Sequence, residues 1–300
     1  MASPSTAPAH SEALYRAALF DAGEWLARRF PLAFLRALAG AIGRLYALTH
    51  PARVAVVEQN LKLLDAGANT AAARRVYAEF GQTMADYFHI GTRPAAEAMK
   101  IIARIDGAEH LRAAHEAGRG ALIVTAHLGL FELGGLLLAE HGYSAAVLTY
   151  PEPSRALTEW RARFRARWKA DTLEIGRDSF AFLHIAERLR RGQFIASLID
   201  RPHPSDSTEV ALPNGMARFS LGILLLAAHA GAPVIPATMV RRADGAYHAQ
   251  IFAPIFVETL PSRVETVERA GARVVEALLP VLRARPEQWY QFVPLNPATP

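Results

Sequence analysis

The feature that most constrains the fold is a regular alternation of short uncharged runs with longer helical segments in the second part of the chain. The first of these runs, Ala121–Ala126, lies between a glycine and His127. An uncharged run of this length is typical of a strand buried in a parallel sheet. The alternation therefore predicts an α/β fold with a mixed, mostly parallel sheet flanked by helices.

The same pattern predicts the other elements and the domain organisation. Strands are predicted at Ser144–Tyr150, Gln193–Asp200, Thr208–Leu212, Val234–Arg241 and Tyr247–Ile255. Helices are predicted at Arg53–Leu64, Ala71–Phe88, Leu130–Glu140, Ala156–Lys169, Ser179–Arg191, Phe219–His229 and Ser262–Arg285. We expect a tail at 1–12, an N-terminal helical, membrane-associating region at 13–100, and an α/β core at 101–300 that forms one continuous unit.

The residue types exclude several kinds of chemistry. The chain has no cysteine, so disulfides, thiolate metal sites, iron–sulfur clusters and cysteine nucleophiles are excluded. It also lacks a G-x-S-x-G motif, a phosphate-binding glycine loop after a strand, and closely spaced histidine pairs on a helix. We therefore expect neither a metal nor a cofactor. Met1–Ser11 lacks the basic start and apolar centre of a signal peptide and is interpreted as a cytosolic tail.

The segment from Leu14 to Thr49 is rich in apolar residues, but charged residues interrupt it repeatedly. It contains no uncharged run of the roughly 18 residues that a spanning helix needs. Arg36 and Arg44 are predicted to point away from an apolar face. This pattern predicts a helix lying in the interface of an anionic bilayer, although a helix packed on its own domain has the same periodicity. The predicted apolar face consists of Leu35, Leu38, Ile42 and Leu45.

Positive charge is concentrated in one predicted helix. The chain carries a net charge of +5, and residues 155–169 contain six basic residues against one acid. Such a surface suits a phosphorylated lipid head group or an acidic carrier protein, while an ordinary solvated face is the alternative. Nucleic acid is not expected, because Trp160, Phe164 and Trp168 are four residues apart and form one packing stripe.

Two polar residues, His127 and Asp200, follow predicted strands at the carboxyl ends, where α/β sheets place their reactive groups. Glu132 follows His127 after four intervening residues. A turn of that length can bring the carboxylate to the imidazole and favour the imidazolium that forms when histidine accepts a proton. Without a nearby serine or cysteine nucleophile, this pair suits activation of an acceptor hydroxyl, as in acyl transfer from a thioester. A structural histidine and a capping aspartate are the alternatives.

The segment Ala121–Gly135 resembles the bacterial lipid A biosynthesis (late) acyltransferases, within the wider group of H-x-x-x-x-D/E glycerolipid acyltransferases. Four other segments are similar to motifs of that family and occur in the family's order. They are Arg53–Leu61 (R-x-x-x-x-x-x-N-L), Phe194–Arg201 (a strand ending in Asp), Gly231–Pro236 (G-A-P-V-x-P) and Pro286–Tyr290 (P-E-Q followed by two aromatic residues).

The resemblance implies a role for each matching residue. His127 would be the general base on the acceptor hydroxyl, and Glu132 would be its partner. Arg165 and Arg167 form a family-like R-x-R, and one or the other would bind acceptor phosphate or the thioester oxyanion, while Asp200 would shape the site. The chain departs from the family after Asp200, where the usual Gln is missing, and at Leu212–Ala217, which only loosely follows P-x-G-x-x.

The implied activity is transfer of a fatty acyl chain from an acyl carrier protein or coenzyme A thioester to a hydroxyl of a lipid A precursor or related glycolipid. This reaction needs no cofactor and would occur at the cytoplasmic face of the bacterial inner membrane. Acceptors such as a phosphatidylinositol mannoside, an ornithine lipid or an aryl-polyene lipid are alternatives. Two other functions are considered: a catalytically silent relative that binds a lipid or a carrier protein, and a thioesterase.

Overall fold

The computed structural model describes residues 17–150, 154–175, 181–203 and 206–296; the predicted tail at 1–12 lies outside them. The helices are α1 (Ala17–Arg29), α2 (Leu32–Thr49), α3 (Pro51–Leu64), α4 (Thr70–Gly91), α5 (Ala95–Ala98), α6 (Ala108–Glu116), α7 (Leu133–Glu140), α8 (Arg155–Ala166), α9 (Ala181–Arg190), α10 (Ile223–Ala230) and α11 (Arg263–Ala284). The strands are β1 (Ile102–Asp106), β2 (Ala121–Thr125), β3 (Ala145–Thr149), β4 (Ala170–Glu174), β5 (Phe194–Leu198), β6 (Thr208–Leu212), β7 (Gly215–Phe219), β8 (Val234–Arg241) and β9 (Tyr247–Ile251).

A sheet of seven strands, in the order β1-β9-β8-β2-β5-β3-β4, forms the centre of the described fold. Neighbouring strands run parallel except for β8 and β9, which are antiparallel. Helices cover both faces, and α1 to α5 precede the first strand. The structure therefore confirms the predicted α/β class with a mixed, mostly parallel sheet and an N-terminal helical region.

Strand β2 lies in the middle of this sheet because both of its faces are apolar. Leu122 and Val124 face a core formed with α9, α10 and α11, whereas Ala121 and Ile123 face a second core under α6, α7 and α8. All four side chains are buried. Burial on both faces explains the uncharged sequence of β2 and fixes where it ends, at the first polar side chains.

The N-terminal helices are joined to the sheet by a buried polar cluster. Helix α2 packs along α4, and the Arg36 Nε lies 2.5 Å from an oxygen of Asp86. The Tyr247 hydroxyl of β9 donates to the other Asp86 oxygen at 2.6 Å. Arg36 thus points into the protein, whereas the sequence predicted only that it points away from the apolar face. Leu35 is buried as well, so it does not belong to the exposed apolar face that the spacing predicted.

Three strands and one helix were absent from the sequence prediction. Strands β1 and β4 are the two edge strands of the sheet, and β7 pairs only with β6 in a separate hairpin. Edge positions tolerate charged residues, so these strands lack the uncharged runs on which the prediction depended. Helix α6 follows β1 directly.

Several predicted boundaries also differ from those observed. Helix α7 begins at Leu133, because residues 127 to 132 form a turn, and the predicted strand Tyr247–Ile255 ends at Ile251. Phe219 belongs to β7 instead of starting the next helix. These differences lie where a strand or helix meets a turn, which local periodicity defines poorly.

Candidate active site

His127 and Asp200 meet at the carboxyl edge of the sheet. They follow the neighbouring parallel strands β2 and β5, in which Thr125 is paired with Leu198, so each side chain lies two residues beyond a paired position. The His127 Nδ1 lies 2.6 Å from Asp200 Oδ1, and the His127 backbone N–H donates to Oδ2 at 2.9 Å. Adjacent parallel strands therefore bring together two residues that are 73 positions apart.

This contact determines which imidazole nitrogen faces the substrate. Because a carboxylate only accepts hydrogen bonds, Nδ1 carries the proton and donates it to Asp200, leaving the lone pair of Nε2 as the basic atom. Burial lowers the pKa of His127, the charge of Arg201 lowers it further, and Asp200 opposes both. The imidazole is therefore neutral at neutral pH and able to accept a proton.

Asp200 is fully buried and stays charged. Burial alone would raise the pKa of Asp200, but the charge and hydrogen bonds of His127 outweigh this effect and hold the pKa below its ordinary value. The Trp289 indole Nε1–H also donates to Oδ2, at 2.8 Å. Asp200 thus has the contacts of the residue that orients the imidazole. The resemblance had implied only that it shapes the site.

Glu132 contacts Arg165 instead of His127. The Arg165 guanidinium forms two parallel hydrogen bonds with this carboxylate, from Nε at 2.9 Å and from Nη2 at 2.6 Å. Burial alone would raise the pKa of Glu132, but Arg165 outweighs it and the pKa is lowered. The prediction that Glu132 is the direct partner of the imidazole is corrected in this respect: the neighbouring strand supplies that partner, and the turn after β2 turns Glu132 toward α8.

The two arginines predicted to bind substrate both have protein partners. Arg165 is buried against Glu132, whereas Arg167 contacts Glu24 of α1 at 2.5 Å and the Gly91 carbonyl at 3.0 Å. Their role in substrate binding stays a prediction. Each guanidinium thus already pairs with a carboxylate of the protein.

Two arginines that the sequence prediction did not name as site residues affect the pKa of the His127 imidazole. Arg201, directly after Asp200, and Arg161 of α8 both lower the pKa of His127 by their positive charge. Arg161 also contributes to the lowered pKa of Glu132. The signal for Arg161 was present in the basic helix, but the helix register alone did not distinguish it from the R-x-R pair.

An apolar cavity begins beside the histidine and runs under α7. Phe131 bounds it, and the ring of Phe131 lies edge-on to the His127 imidazole with centroids 5.3 Å apart. The cavity has a volume of about 70 Å³. Its roof includes Gly134, and its floor across the sheet includes Ala196, Ala237 and Ala249. Small residues on both sides leave the space that larger core residues would fill.

Within the described parts of the chain, no group of three or more histidine, aspartate or glutamate side chains is arranged to hold a metal ion.

Residues 10–295 match the family model described as bacterial lipid A biosynthesis acyltransferase. No curated protein sequence matches the chain. The match extends over almost the whole chain and includes the helices α1 to α4 as well as the sheet that carries His127 and Asp200.

Proposed function

This chain belongs to the bacterial lipid A biosynthesis acyltransferase family and is therefore an acyltransferase, and we propose that it moves a fatty acyl chain from a thioester to a hydroxyl of a lipid A precursor. The thioester donor is an acyl carrier protein or coenzyme A. The observation that carries this proposal is the His127–Asp200 pair next to Phe131, a residue that lines an apolar cavity. Acyl transfer requires a base that activates the acceptor hydroxyl and, next to it, an apolar site that holds the acyl chain.

The proposed reaction proceeds through a tetrahedral intermediate. His127 Nε2 takes the proton of the acceptor hydroxyl as its oxygen attacks the thioester carbonyl carbon. Collapse of the intermediate breaks the carbon–sulfur bond, and the imidazolium returns the proton to the leaving thiolate. The products are an ester and a thiol, and Asp200 stabilises the imidazolium between the two proton transfers.

Negative charge that develops on the carbonyl oxygen and on acceptor phosphates needs nearby cations. Arg161 and Arg201 supply positive potential at His127, and the buried pair of Glu132 with Arg165 lies at the edge of the cavity. We assign Arg161 and Arg201 to charge stabilisation around the reacting group. Glu132 keeps Arg165 in place and, through it, the side of α8 that faces the site.

The cavity supports an acyl-chain site. Phe131 lines the cavity and contacts the histidine, and most of the lining surface is apolar. A thioester carbonyl beside His127 would therefore place the hydrocarbon chain under α7. Gly134 of that helix lines the cavity, and a Cβ built there meets no atom within 4 Å. A larger side chain at this position therefore has room to enter the cavity.

Gly134→Leu is expected to make the enzyme selective for short acyl chains. The leucine side chain would occupy the cavity, so turnover of a palmitoyl donor should fall by about 10-fold or more, since the cost of displacing several buried methylenes exceeds about 1.4 kcal/mol. Turnover of a butyryl donor should change little. The free energy of unfolding should not decrease, because a helical glycine costs roughly 0.5–1 kcal/mol relative to other helix formers.

Parallel assays with both donors and urea unfolding test this expectation. An equal loss with the two donors, or an unchanged rate with palmitoyl donor, would mean that the chain does not lie under Gly134.

We further propose that residues 13–100 associate with the cytoplasmic surface of the inner membrane. Helix α2 is long and apolar enough to cross a membrane by length and composition. One side of it packs along α4 through Leu35 and Arg36, and the opposite side is exposed. An exposed apolar stripe of this kind beside arginines suits a helix that lies in the membrane interface. The exposed residues of this stripe are Phe34, Leu38, Ile42, Leu45 and Leu48, with Trp25 and Phe30 nearby.

Replacing Leu38, Ile42 and Leu45 together with serine is expected to abolish most binding to vesicles that contain anionic lipid. Burial of each side chain contributes roughly 1.5–3 kcal/mol, so the partition coefficient should fall by more than about 100-fold. Stability in solution should hardly change, because these residues are already exposed. Co-sedimentation with vesicles measures the effect.

A control uses Phe256 and Val264, which are exposed to a similar degree outside the N-terminal helices. Serine at both positions should leave vesicle binding intact. Equal binding by the α2 variant and the wild type would contradict the proposal.

The proposed activity is tested by thiol release from a palmitoyl carrier protein and from palmitoyl coenzyme A, each with and without a lipid A precursor. Release that depends on the lipid, with an acylated product in mass spectrometry, supports the proposal. Release without lipid would indicate a thioesterase. No release with either donor would overturn the assignment and favour a lipid- or carrier-binding role.

A further inference from the structure

The C-terminal strap, residues 286–295, follows α11 and lies across the catalytic pair. Its backbone is joined to the turn after β2 in two places: Gly129 N–H donates to the Gln288 carbonyl at 2.9 Å, and Tyr290 N–H donates to the His127 carbonyl at 2.7 Å. Leu128 and Trp289 also form an isolated antiparallel bridge. The strap is therefore hydrogen-bonded to the backbone of both His127 and Gly129.

The strap is itself held by α3. The side-chain amide of Asn60 donates to the carbonyls of Gln291, at 3.1 Å, and Val293, at 2.8 Å, while Asn60 Oδ1 accepts from Leu295 N–H at 3.1 Å. Asn60 is buried, and all these partners lie in one short segment. The side-chain amide of Asn60 thus ties the strap to α3.

Within the strap, two side chains reach Asp200. The Trp289 Nε1–H donates to Asp200 Oδ2 at 2.8 Å, and the Gln291 side-chain amide donates to the Asp200 carbonyl. Trp289 is 1% exposed. Because the indole has a donor and no acceptor, a tryptophan buried here must find an acceptor, and the carboxylate of the catalytic pair is that acceptor.

Each Asp200 oxygen consequently has its own role. Oδ1 accepts from the imidazole, whereas Oδ2 accepts both the backbone N–H of His127 and the indole N–H of Trp289. With Oδ2 held twice, the carboxylate cannot rotate, and Oδ1 stays aimed at Nδ1. We propose that Trp289 is a positioning residue for the acyl transfer, which fixes the Asp200 carboxylate and thereby sets the orientation and basicity of His127.

This proposal rests on the proposed function and predicts the direction of a titration. Without the indole donor, the charge on Asp200 is less compensated, so it stabilises the imidazolium more strongly and the pKa of His127 rises. The other charged groups that face His127 are Arg201 after β5, Arg161 of α8 and Glu132 before α7, and none of them is touched by the change. Loosened packing would also raise the pKa of His127 by admitting water, so a control variant that removes a neighbouring buried hydrogen bond must separate the two effects.

Trp289→Phe keeps an aromatic ring and removes the donor. We expect the His127 imidazole resonance, assigned by comparison with His127→Gln, to titrate about 0.5–1 pH unit higher, which corresponds to about 0.7–1.4 kcal/mol. The acid limb of kcat/KM should move upward by the same amount. The kcat value should fall by about 10-fold with little change in KM, because an orienting contact acts on the transition state.

Tyr290→Phe is the matched control in the same strap. The Tyr290 hydroxyl pairs with Thr83 at 2.7 Å, so this change also removes a buried hydrogen bond, but one that Asp200 does not share. It should lower the midpoint of thermal unfolding and leave the His127 titration unchanged. If Trp289→Phe does not fold, Asp200→Asn provides a second measurement: the Trp289 Nε1–H resonance should move upfield while those of Trp160 and Trp168 stay in place.

An unchanged His127 titration in folded Trp289→Phe, or an unmoved indole resonance in Asp200→Asn, would overturn the proposal. The NMR titrations need no substrate. An upward shift of the His127 titration without acyl transfer from any donor would therefore support the positioning role while rejecting the proposed function.

Discussion

Replacing His127 with alanine is expected to lower the rate of acyl transfer by about 10²- to 10⁴-fold, the range for a positioned general base. The loss should appear in kcat, because the acyl chain and the acceptor bind through other residues. Thiol release at saturating donor and acceptor measures the effect. His127→Gln, which keeps a polar side chain but has no basic nitrogen, should be equally inactive.

The wild-type pH profile provides a second test of the same base. Burial and Arg201 lower the pKa of His127, so kcat/KM should rise with pH and have its midpoint below the ordinary imidazole value of 6.5. The protonated imidazole cannot accept a proton, so activity is lost as the pH falls below the pKa of His127. The two His127 variants should lose this dependence.

His248 offers a matched control. Its Nε2 lies 2.8 Å from Asp106, so the sheet contains another histidine–aspartate pair, located on β9 and β1, which β8 separates from β2. His248→Ala should retain wild-type turnover. Wild-type rates in His127→Ala would remove the proposed mechanism, and equal losses in His127→Ala and His248→Ala would indicate general damage to the fold.

The second large effect concerns stability. Glu132→Leu or Arg165→Met alone should destabilise the protein by about 3–5 kcal/mol, because each leaves a buried charge without its partner. The two side chains are 7% and 4% exposed, so water cannot take the place of the missing group. Urea unfolding of the single variants measures the cost.

The double variant distinguishes the contribution of the Glu132–Arg165 pair to stability from its contribution to turnover. Glu132→Leu with Arg165→Met replaces both charges by apolar groups of similar size, so we expect most of the stability to return. Activity should stay well below wild type, because the negative charge of Glu132 and the position of α8 next to His127 are still changed. Full recovery of turnover in the double variant would mean that the pair is only structural.

The exposed pair of Arg155 and Glu159 on the same helix is the control for this experiment. Its side chains are 82% and 51% exposed, so alanine at either position should leave the unfolding midpoint unchanged. A large loss of stability there would show that substitutions in α8 are disruptive in general.

Local sequence was sufficient for the parts of this fold that are buried on both faces. The uncharged run Ala121–Ala126 identified β2, and its polar neighbour His127 was placed at the site because a strand buried in the sheet must end where polar side chains begin. The edge strands β1 and β4 were missed since charged residues are compatible with their positions.

Local sequence patterns did not identify the hydrogen-bond partner of His127. Spacing favoured Glu132, which is near in sequence, but Asp200 lies on the adjacent strand and accepts from both the ring and the backbone of His127. Glu132 instead forms a buried bidentate contact with Arg165 of α8. Strand neighbours depend on the order of strands in the sheet, which a local pattern does not encode.

By itself, the sequence determined the α/β class, the strand that ends in His127, the position of Asp200 after another strand, and the ordered motifs that resemble one acyltransferase family. Only the tertiary structure decided that β2 and β5 are neighbours, that Trp289 and Gln291 of the strap close over Asp200, and that a cavity opens under Gly134. The physical reason is that burial and periodicity act along a few residues of chain, whereas hydrogen-bond partners and empty space depend on which distant segments pack together.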